Sequence, residues 1–357
     1  MNNHRLALLR ASMKKQNLDG LLVTHLPHIR YISGFSGSSG QLLLTRRAAW
    51  FITDFRYQEQ AAAELRPDFK TIITSTPHET IAEKKLIREG MKIGFQDSYT
   101  TVAALAALRK KFRKVKFAPT GAMVTKTSMV KTPDEVAAIR TAADIAARVY
   151  QEILGIVKPG MRENEVAMEI SYLGKKFGSQ GDAFDIIVAS GPRGALPHGR
   201  ASTKKIKSGE LVTLDFGCIH NGFNSDMTRT FAVGKPSPLA RKIYDIVLNA
   251  EQSGVNAARA GMTGKELDDV CRNLITEAGY GDKFGHSTGH GLGIEVHEQP
   301  GVSFRSEKQI LPEGAVVTIE PGIYLPDQLG VRIEDDVLLT ATGCTVLTSS
   351  PRELIIV

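Results

Sequence analysis

Two stretches of this 357-residue chain occur twice, in the same order. KPGMRENEV (158–166) returns as RAGMTGKEL (259–267), 101 residues on, and LVTLDFG (211–217) returns as VVTIEPG (316–322), 105 residues on. Two matches in one order point to an internal duplication. A duplicated α+β half builds one domain about a pseudo-twofold axis, with two hairpins facing a shared centre.

The repeats occupy only the later part of the chain, and the length allows about two domains. Ahead of them, Leu6 to Asn17 has helical spacing. LDGLLVT (18–24), GQLLLT (40–45), AAWFIT (48–53), FKTIIT (69–74), MKIGFQ (91–96) and KVKFAP (114–119) are apolar runs bounded by turn residues, predicting strands. SGFSGSSG (33–40) reads as a loop, and Thr101 to Arg113 as an Ala-rich helix. The boundary is expected between about 118 and 131, giving domains 1–125 and 126–357. Thr132-Pro133-Asp134-Glu135 is a helix start: Thr132 caps, Pro133 suits the first helical position, and Glu135 bonds back. That helix is predicted to run to about Leu154, with Val136, Ile139, Ile145, Val149 and Ile153 near one stripe.

A hydrophobic content of 42% and charged content of 23% exclude a mainly disordered chain. No apolar run is long enough to span a bilayer, and the amino terminus lacks a secretory cleavage pattern, so a cytoplasmic protein is expected, with no membrane partner. Cys218, Cys271 and Cys344 are widely spaced, predicting reduced thiols, mostly buried. The net charge of +7 peaks at Arg109, Lys110, Lys111, Arg113, Lys114 and Lys116, but no nucleic-acid motif accompanies it. These charges are read as a solvated face, with no nucleic-acid partner.

The chemistry concentrates in the repeated hairpins. Asn221-Gly222 is the preferred type I′ turn dipeptide, because both central residues need positive φ. That turn pairs residues whose numbers sum to 443, so Asp215 faces Thr228, Asp226 faces Gly217, and the two acids are diagonal neighbours on one face. The second copy carries Glu320 and Glu334, but PDQLG (326–330) leaves its register open. Arg332 shares the face of Glu334, where it could orient a carboxylate or receive substrate charge. Four acids inside apolar strand runs (LVTLDF, VVTIEP, VRIEDD) are costly unless cations neutralise them. GHSTGHGLG supplies His286 and His290, with His297 following in EVHE; its glycines predict an extended segment and not a helix. Carboxylates with one or two imidazoles form a hard donor set, suited to two divalent ions such as Mn²⁺ or Co²⁺. His198, in LPHG, is read as structural or catalytic. His4, His25, His28 and His78 lie outside this group, and His220 sits beside the turn.

Asp215, Asp226, His290, Glu320 and Glu334, set in LDFG, SDMTRT, STGHGLG, IEPGIY and GVRIEDD, resemble the pita-bread metallopeptidases (M24 type), and within them the Xaa-Pro peptidases. The resemblance covers about 130–357. More loosely, 1–125 is similar to the creatinase-like amino-terminal α/β domain, through YISGFSGSSG and ITDFRY. It implies an α+β two-domain chain: a creatinase-like domain, then a pita-bread domain of two duplicated halves. It further implies that Asp215 chelates one metal, Asp226 and Glu334 bridge both, and His290 and Glu320 complete the second site. Two divalent ions are implied, with Mn²⁺ favoured over Co²⁺ or Zn²⁺, and water activated by them as nucleophile. Glu320 would be general base and proton carrier, His198 would stabilise the oxyanion or contact substrate, and His297 would hold the scissile carbonyl or the leaving side. His286 resembles a proline-pocket position, with Arg332 and Tyr324 beside the metals or the substrate.

The expected activity is hydrolysis of an amino-terminal Xaa-Pro bond, of the aminopeptidase P type, on peptides with proline second and in a homodimer. The alternative is a prolidase restricted to Xaa-Pro dipeptides. A methionine aminopeptidase has the same metal core, but the leading domain and the His198 context weigh against it. A non-catalytic or creatinase-like binding relative would lack most of the five ligand positions.

Overall fold

Each half of the duplicated region opens on a hydroxyl cap followed by proline. The structure, a computed structural model, describes residues 4–357. Thr132 and Glu135 form the reciprocal capping box that starts α7 (Pro133–Ile156), and Ser237 caps α9 (Pro238–Ala257), also with proline in the first turn. A second helix follows each: α8 (Glu163–Lys176) and α10 (Gly264–Glu277), both carrying a glutamate that bonds back to the N-cap amide. Ile139, Ile145, Val149 and Ile153 of the predicted stripe are buried, while Val136 is partly exposed.

The chain divides into two compact units, the first ending at Ser128 and the second starting at Met129. The first contains α1 (His4–Lys15), β1 (Gly20–Val23), α2 (Leu26–Ser33), β2 (Gln41–Thr45), β3 (Ala49–Thr53), α3 (Gln58–Glu64), β4 (Lys70–Ile73), α4 (Pro77–Glu83), β5 (Lys92–Phe95), α5 (Val102–Lys111), β6 (Lys116–Pro119) and α6 (Met123–Ser128). Its six strands form one mixed sheet, in the order β4-β3-β2-β1-β5-β6. All six predicted strands are present. Ser33, the first residue of the predicted loop, instead ends α2, where Gly34 at φ 90 provides a left-handed stop.

In the second unit, β7 (Ile187–Ser190), β8 (Leu211–Phe216) and β11 (Met227–Ala232) form a sheet in the order β11-β8-β7, and β9 (Ile219–His220) pairs with β10 (Phe223–Asn224). The other half repeats this core. β12 (Gly289–Gly291), β14 (Val316–Ile319) and β17 (Asp335–Leu339) take the places of β7, β8 and β11, flanked by β13 (Glu298–Val302) and β18 (Cys344–Val346). β15 (Gly322–Leu325) pairs with β16 (Leu329–Arg332). Each half buries its own apolar cluster: Val149, Ile153, Val212 and Phe231 in one, Ile243, Val247, Val317 and Val337 in the other. This is the expected arrangement of two duplicated α+β halves.

The first hairpin has the predicted register, Asp215 pairing with Thr228 and His220 with Phe223. Asn221 and Gly222 turn at φ 49 and 78. Gly217 is packed so closely that a Cβ there would lie 1.9 Å from the Ser225 carbonyl oxygen, so no larger residue fits where the hairpin bends. Cys218 and Cys271 are buried free thiols, and Cys344 is partly buried. Among the described residues, no helix is long and apolar enough to cross a membrane.

Candidate metal centre

Strand alternation puts Asp215 on β8, with Asp226 just before β11, and aims both acids across the sheet at the Glu320–Glu334 hairpin. The strands part at the acids, and backbone groups there bond outside their own hairpin. The Asp226 amide donates to Asp336 Oδ2 (3.0 Å), the Glu334 amide to the Thr228 carbonyl (3.1 Å), and the Glu320 amide to the Thr288 carbonyl (2.7 Å). The first two of these bonds stitch the halves together where their acids meet.

Arg332 and Thr228 tie these carboxylates into a network. Arg332 donates from Nη2 to Asp215 Oδ2 (2.6 Å), from Nε to Thr228 Oγ1 (3.0 Å), and from Nη1 to the Tyr324 hydroxyl (2.8 Å) and the Pro197 carbonyl (3.2 Å). The Thr228 hydroxyl donates to Glu334 Oε2 (2.7 Å). On the other side, His290 Nε2 lies 3.4 Å from Glu320 Oε1 and 3.8 Å from Asp226 Oδ2. A proton on His290 Nδ1 satisfies the Gly291 carbonyl at 3.1 Å and leaves the Nε2 lone pair turned toward the acids.

Charge is concentrated here beyond what the protein groups balance. Burial first, then the neighbouring Glu334 and Asp215, drive Asp226 well above the usual carboxylate range. Burial and Glu334 do the same to Glu320. Glu334 is pushed up to about 8 by burial and Asp215. Burial and the facing His297 lower His290 to about 4, so its imidazole is neutral at pH 7. The Oδ1 atoms of Asp215 and Asp226 are sealed from solvent without a hydrogen-bond partner, which is expensive for an oxygen acceptor. Asp226, His290 and Glu334 each offer a ligand atom within 4.8 Å of the others. Orphaned carboxyl oxygens, a neutral imidazole and converging donors fit a divalent cation, which would displace the carboxyl protons.

The acids form one wall of a cavity of about 690 Å³ whose lining also includes His198, His286, His297 and Arg332. Nine of the ten residues singled out from the sequence therefore meet at one place. Tyr324 does not line the cavity. It lies behind the wall, where its hydroxyl accepts from Arg332 and meets His286 Nε2 at 2.8 Å. Burial and Arg332 lower His286 to about 4, so this ring accepts the tyrosine proton.

Thr228, Asp336 and Asp268 also support the centre, although no sequence motif marks them as functional. Thr228 had a signal, since it lies two residues from Asp226 on the same strand face, and Asp336 stands likewise beside Glu334. Asp268 of α10 accepts the Thr288 amide (3.0 Å), two residues from His290, and nothing in its helix pattern announces that role.

Residues 137–341 match the family model of metallopeptidase family M24, and residues 5–130 match that of the creatinase/prolidase N-terminal domain. The chain belongs to metallopeptidase family M24. It is thus a metal-dependent hydrolase of peptide bonds. Among relatives of this family, an Xaa-Pro dipeptidase of Pyrococcus horikoshii is 39% identical over 355 residues, covering 99% of each chain. The solved structure of an Xaa-Pro dipeptidase from Bacillus anthracis is 43% identical, with a TM-score of 0.94 over 99% of both chains. An X-Pro aminopeptidase from Thermotoga maritima is 37% identical, with a TM-score of 0.91 over the same shares.

Proposed function

We propose that this protein is an Xaa-Pro dipeptidase, a prolidase, working with two divalent ions, for which Mn²⁺ is the favoured metal. The observation that carries the reading is the convergence of four carboxylates and one neutral imidazole on one cavity, with carboxyl oxygens lacking any protein partner. Full-length relatives named as Xaa-Pro dipeptidases favour this over the aminopeptidase P activity expected from sequence. Asp215, Asp226, His290, Glu320 and Glu334 would hold the ions. When bound, the ions would supply Lewis acidity and bring the pKa of water towards neutrality.

The remaining chemistry belongs to side chains. An Xaa-Pro bond is a tertiary amide, so its nitrogen has no hydrogen to anchor and must be protonated to leave. Glu320, on the cavity wall with its proton affinity raised by burial, would take the proton of the water that attacks the carbonyl carbon and give it to that nitrogen as the C–N bond breaks. His198 and His297 line the same cavity, and an N–H from either can meet the developing oxyanion. His286, held neutral and oriented by Tyr324, forms part of the wall for the proline ring. Arg332 holds Asp215 in place while compensating its charge.

The test is to strip the protein of metal, restore Mn²⁺, and assay Xaa-Pro, Xaa-Pro-Yaa and Met-Ala-Ser. Cleavage confined to the dipeptide is expected. Cleavage of Xaa-Pro-Yaa at comparable kcat/KM returns the reading to aminopeptidase P, and release from Met-Ala-Ser alone overturns the proline reading.

A further inference from the structure

The two halves differ at one matched position in a way that bears on the cavity. The repeat places Glu163 opposite Gly264, each the first residue of its helix. At Gly264 a Cβ would lie 2.1 Å from the Gly301 carbonyl oxygen, so α10 abuts the strand backbone directly. The first half places a glutamate there instead, with its side chain entirely buried.

That carboxylate is saturated by five donors. Oε1 accepts from the Ser190 amide (2.8 Å) and hydroxyl (2.8 Å). Oε2 accepts from Arg193 Nε (2.9 Å) and from the Ser202 amide (3.2 Å) and hydroxyl (2.6 Å). Ser190 and Ser202 bracket an excursion of the chain, so one side chain pins both of its ends. Arg193 stitches the interior by donating from Nη2 to the Arg200 carbonyl (2.6 Å). The excursion is pressed on β16, where a Cβ at Gly330 would come 1.9 Å from the Gly194 oxygen. Its far end carries His198 to the cavity and offers the Pro197 carbonyl to Arg332.

We propose that Glu163 is a positioning residue: by clamping the 190–202 excursion it holds His198 at the substrate side of the cavity and the Pro197 carbonyl against Arg332. The duplication has become asymmetric here, with one copy packed closely through glycine and the other opened into a braced substrate wall. His198 itself is exposed, and among the described residues no hydrogen bond holds its side chain, so its position depends on the backbone that carries it. Five charge-assisted bonds to one buried carboxylate make that backbone rigid. This inference rests on the reading of His198 as a substrate contact.

The test uses the Mn²⁺-loaded full chain carrying E163Q, H198A or both, with an Xaa-Pro dipeptide as substrate. E163Q is expected to load metal like the parent, lose roughly 10–100-fold in kcat/KM, and exchange the amides of 191–202 faster. In the H198A background, E163Q is expected to cost less than about two-fold more, the non-additivity of residues acting through one group. Multiplying losses, E163Q activity within about two-fold of the parent, an H198A protein of full activity, or unchanged amide exchange each overturn the proposal. If E163Q fails to fold, R193Q and S202A each withdraw one donor. Smaller losses that vanish in the H198A background are then expected, and parental rates in both overturn the clamp. A parent protein that cleaves no Xaa-Pro bond refutes the functional reading alone, and amide exchange in the variants still decides the clamp.

Discussion

Glu320 and Glu334 occupy matched positions in the gap between two antiparallel ladders of common register. Ile319 pairs with Asp335 on one side and Gly322 with Arg332 on the other, residue numbers summing to 654 throughout. Asp215 and Asp226 are offset diagonally across theirs, because the flanking pairs sum to 443. The two hairpins therefore meet as unequal copies, one presenting acids at matched positions and the other staggered acids.

Asp226→Asn removes an anionic oxygen from the most crowded position. Metal content measured on the purified variant is expected to fall, and kcat/KM to drop by more than the roughly 10–100-fold that outer partners of a metal site cost. Full activity with full metal content would refute the proposed role of Asp226 as a metal ligand.

Arg332→Met breaks a buried pair and leaves Asp215 uncompensated. Losing one partner of such a pair costs about 3–5 kcal/mol, so the melting temperature of the metal-free variant is expected to fall steeply. Arg332→Lys should fail to restore it, since an ammonium cannot reach Asp215, Thr228 and Tyr324 from one planar fork.

Thr228→Val keeps the shape and removes the hydroxyl joining Arg332 to Glu334. The expected cost is about 1–3 kcal/mol, together with weaker metal binding, while Thr228→Ser restores both. Calorimetric titration with Mn²⁺ distinguishes the two variants.

The chelator-treated protein is expected to lose stability as pH rises from about 6.5 to 9. Glu334 at about 8 and Glu251 at about 9, both raised chiefly by burial, bind protons more tightly folded than unfolded, and Asp226 and Glu320 shift the same way. The folded state then holds the extra protons, so stability drops through the folded pKa values, by up to about 1.4 kcal/mol per pH unit for each group. His286 and His290, lowered to about 4, act oppositely and only below their unfolded value, so this window is free of them. Metal must displace the carboxyl protons, so added Mn²⁺ should raise the melting temperature more at pH 8.5 than at pH 6. A flat or rising profile in the stripped protein would contradict the charge balance described here.

Much of the centre is legible locally. Asn221-Gly222 dictates its own turn, and an even strand period then sets Asp215 and Asp226 on one face. In the second hairpin Pro326 and Asp327 form the turn, Asp327 at φ 60, with the Gln328 amide donating to the Leu325 carbonyl (3.0 Å). A segment such as PDQLG is compatible with several turns, so its register follows from the pairing of β14 with β17. Arg332 shows the same divide. Its place two residues before Glu334 is written in the strand, yet its guanidinium crosses to Asp215 of the other half.

The sequence alone determined which candidate residues gather at one cavity, Tyr324 excepted, the duplication that brings two acidic hairpins together, and the turn and cap residues that shape each piece. Those are effects of neighbours within a few positions, where backbone preference and strand or helix period act directly. Only the tertiary structure decided how the halves meet: Thr228 on Glu334, Asp336 on the Asp226 amide, Glu163 on Ser190 and Ser202. Hydrogen bonds between residues distant in sequence exist only once packing has brought their elements together, and no local preference encodes the partner a buried side chain will find.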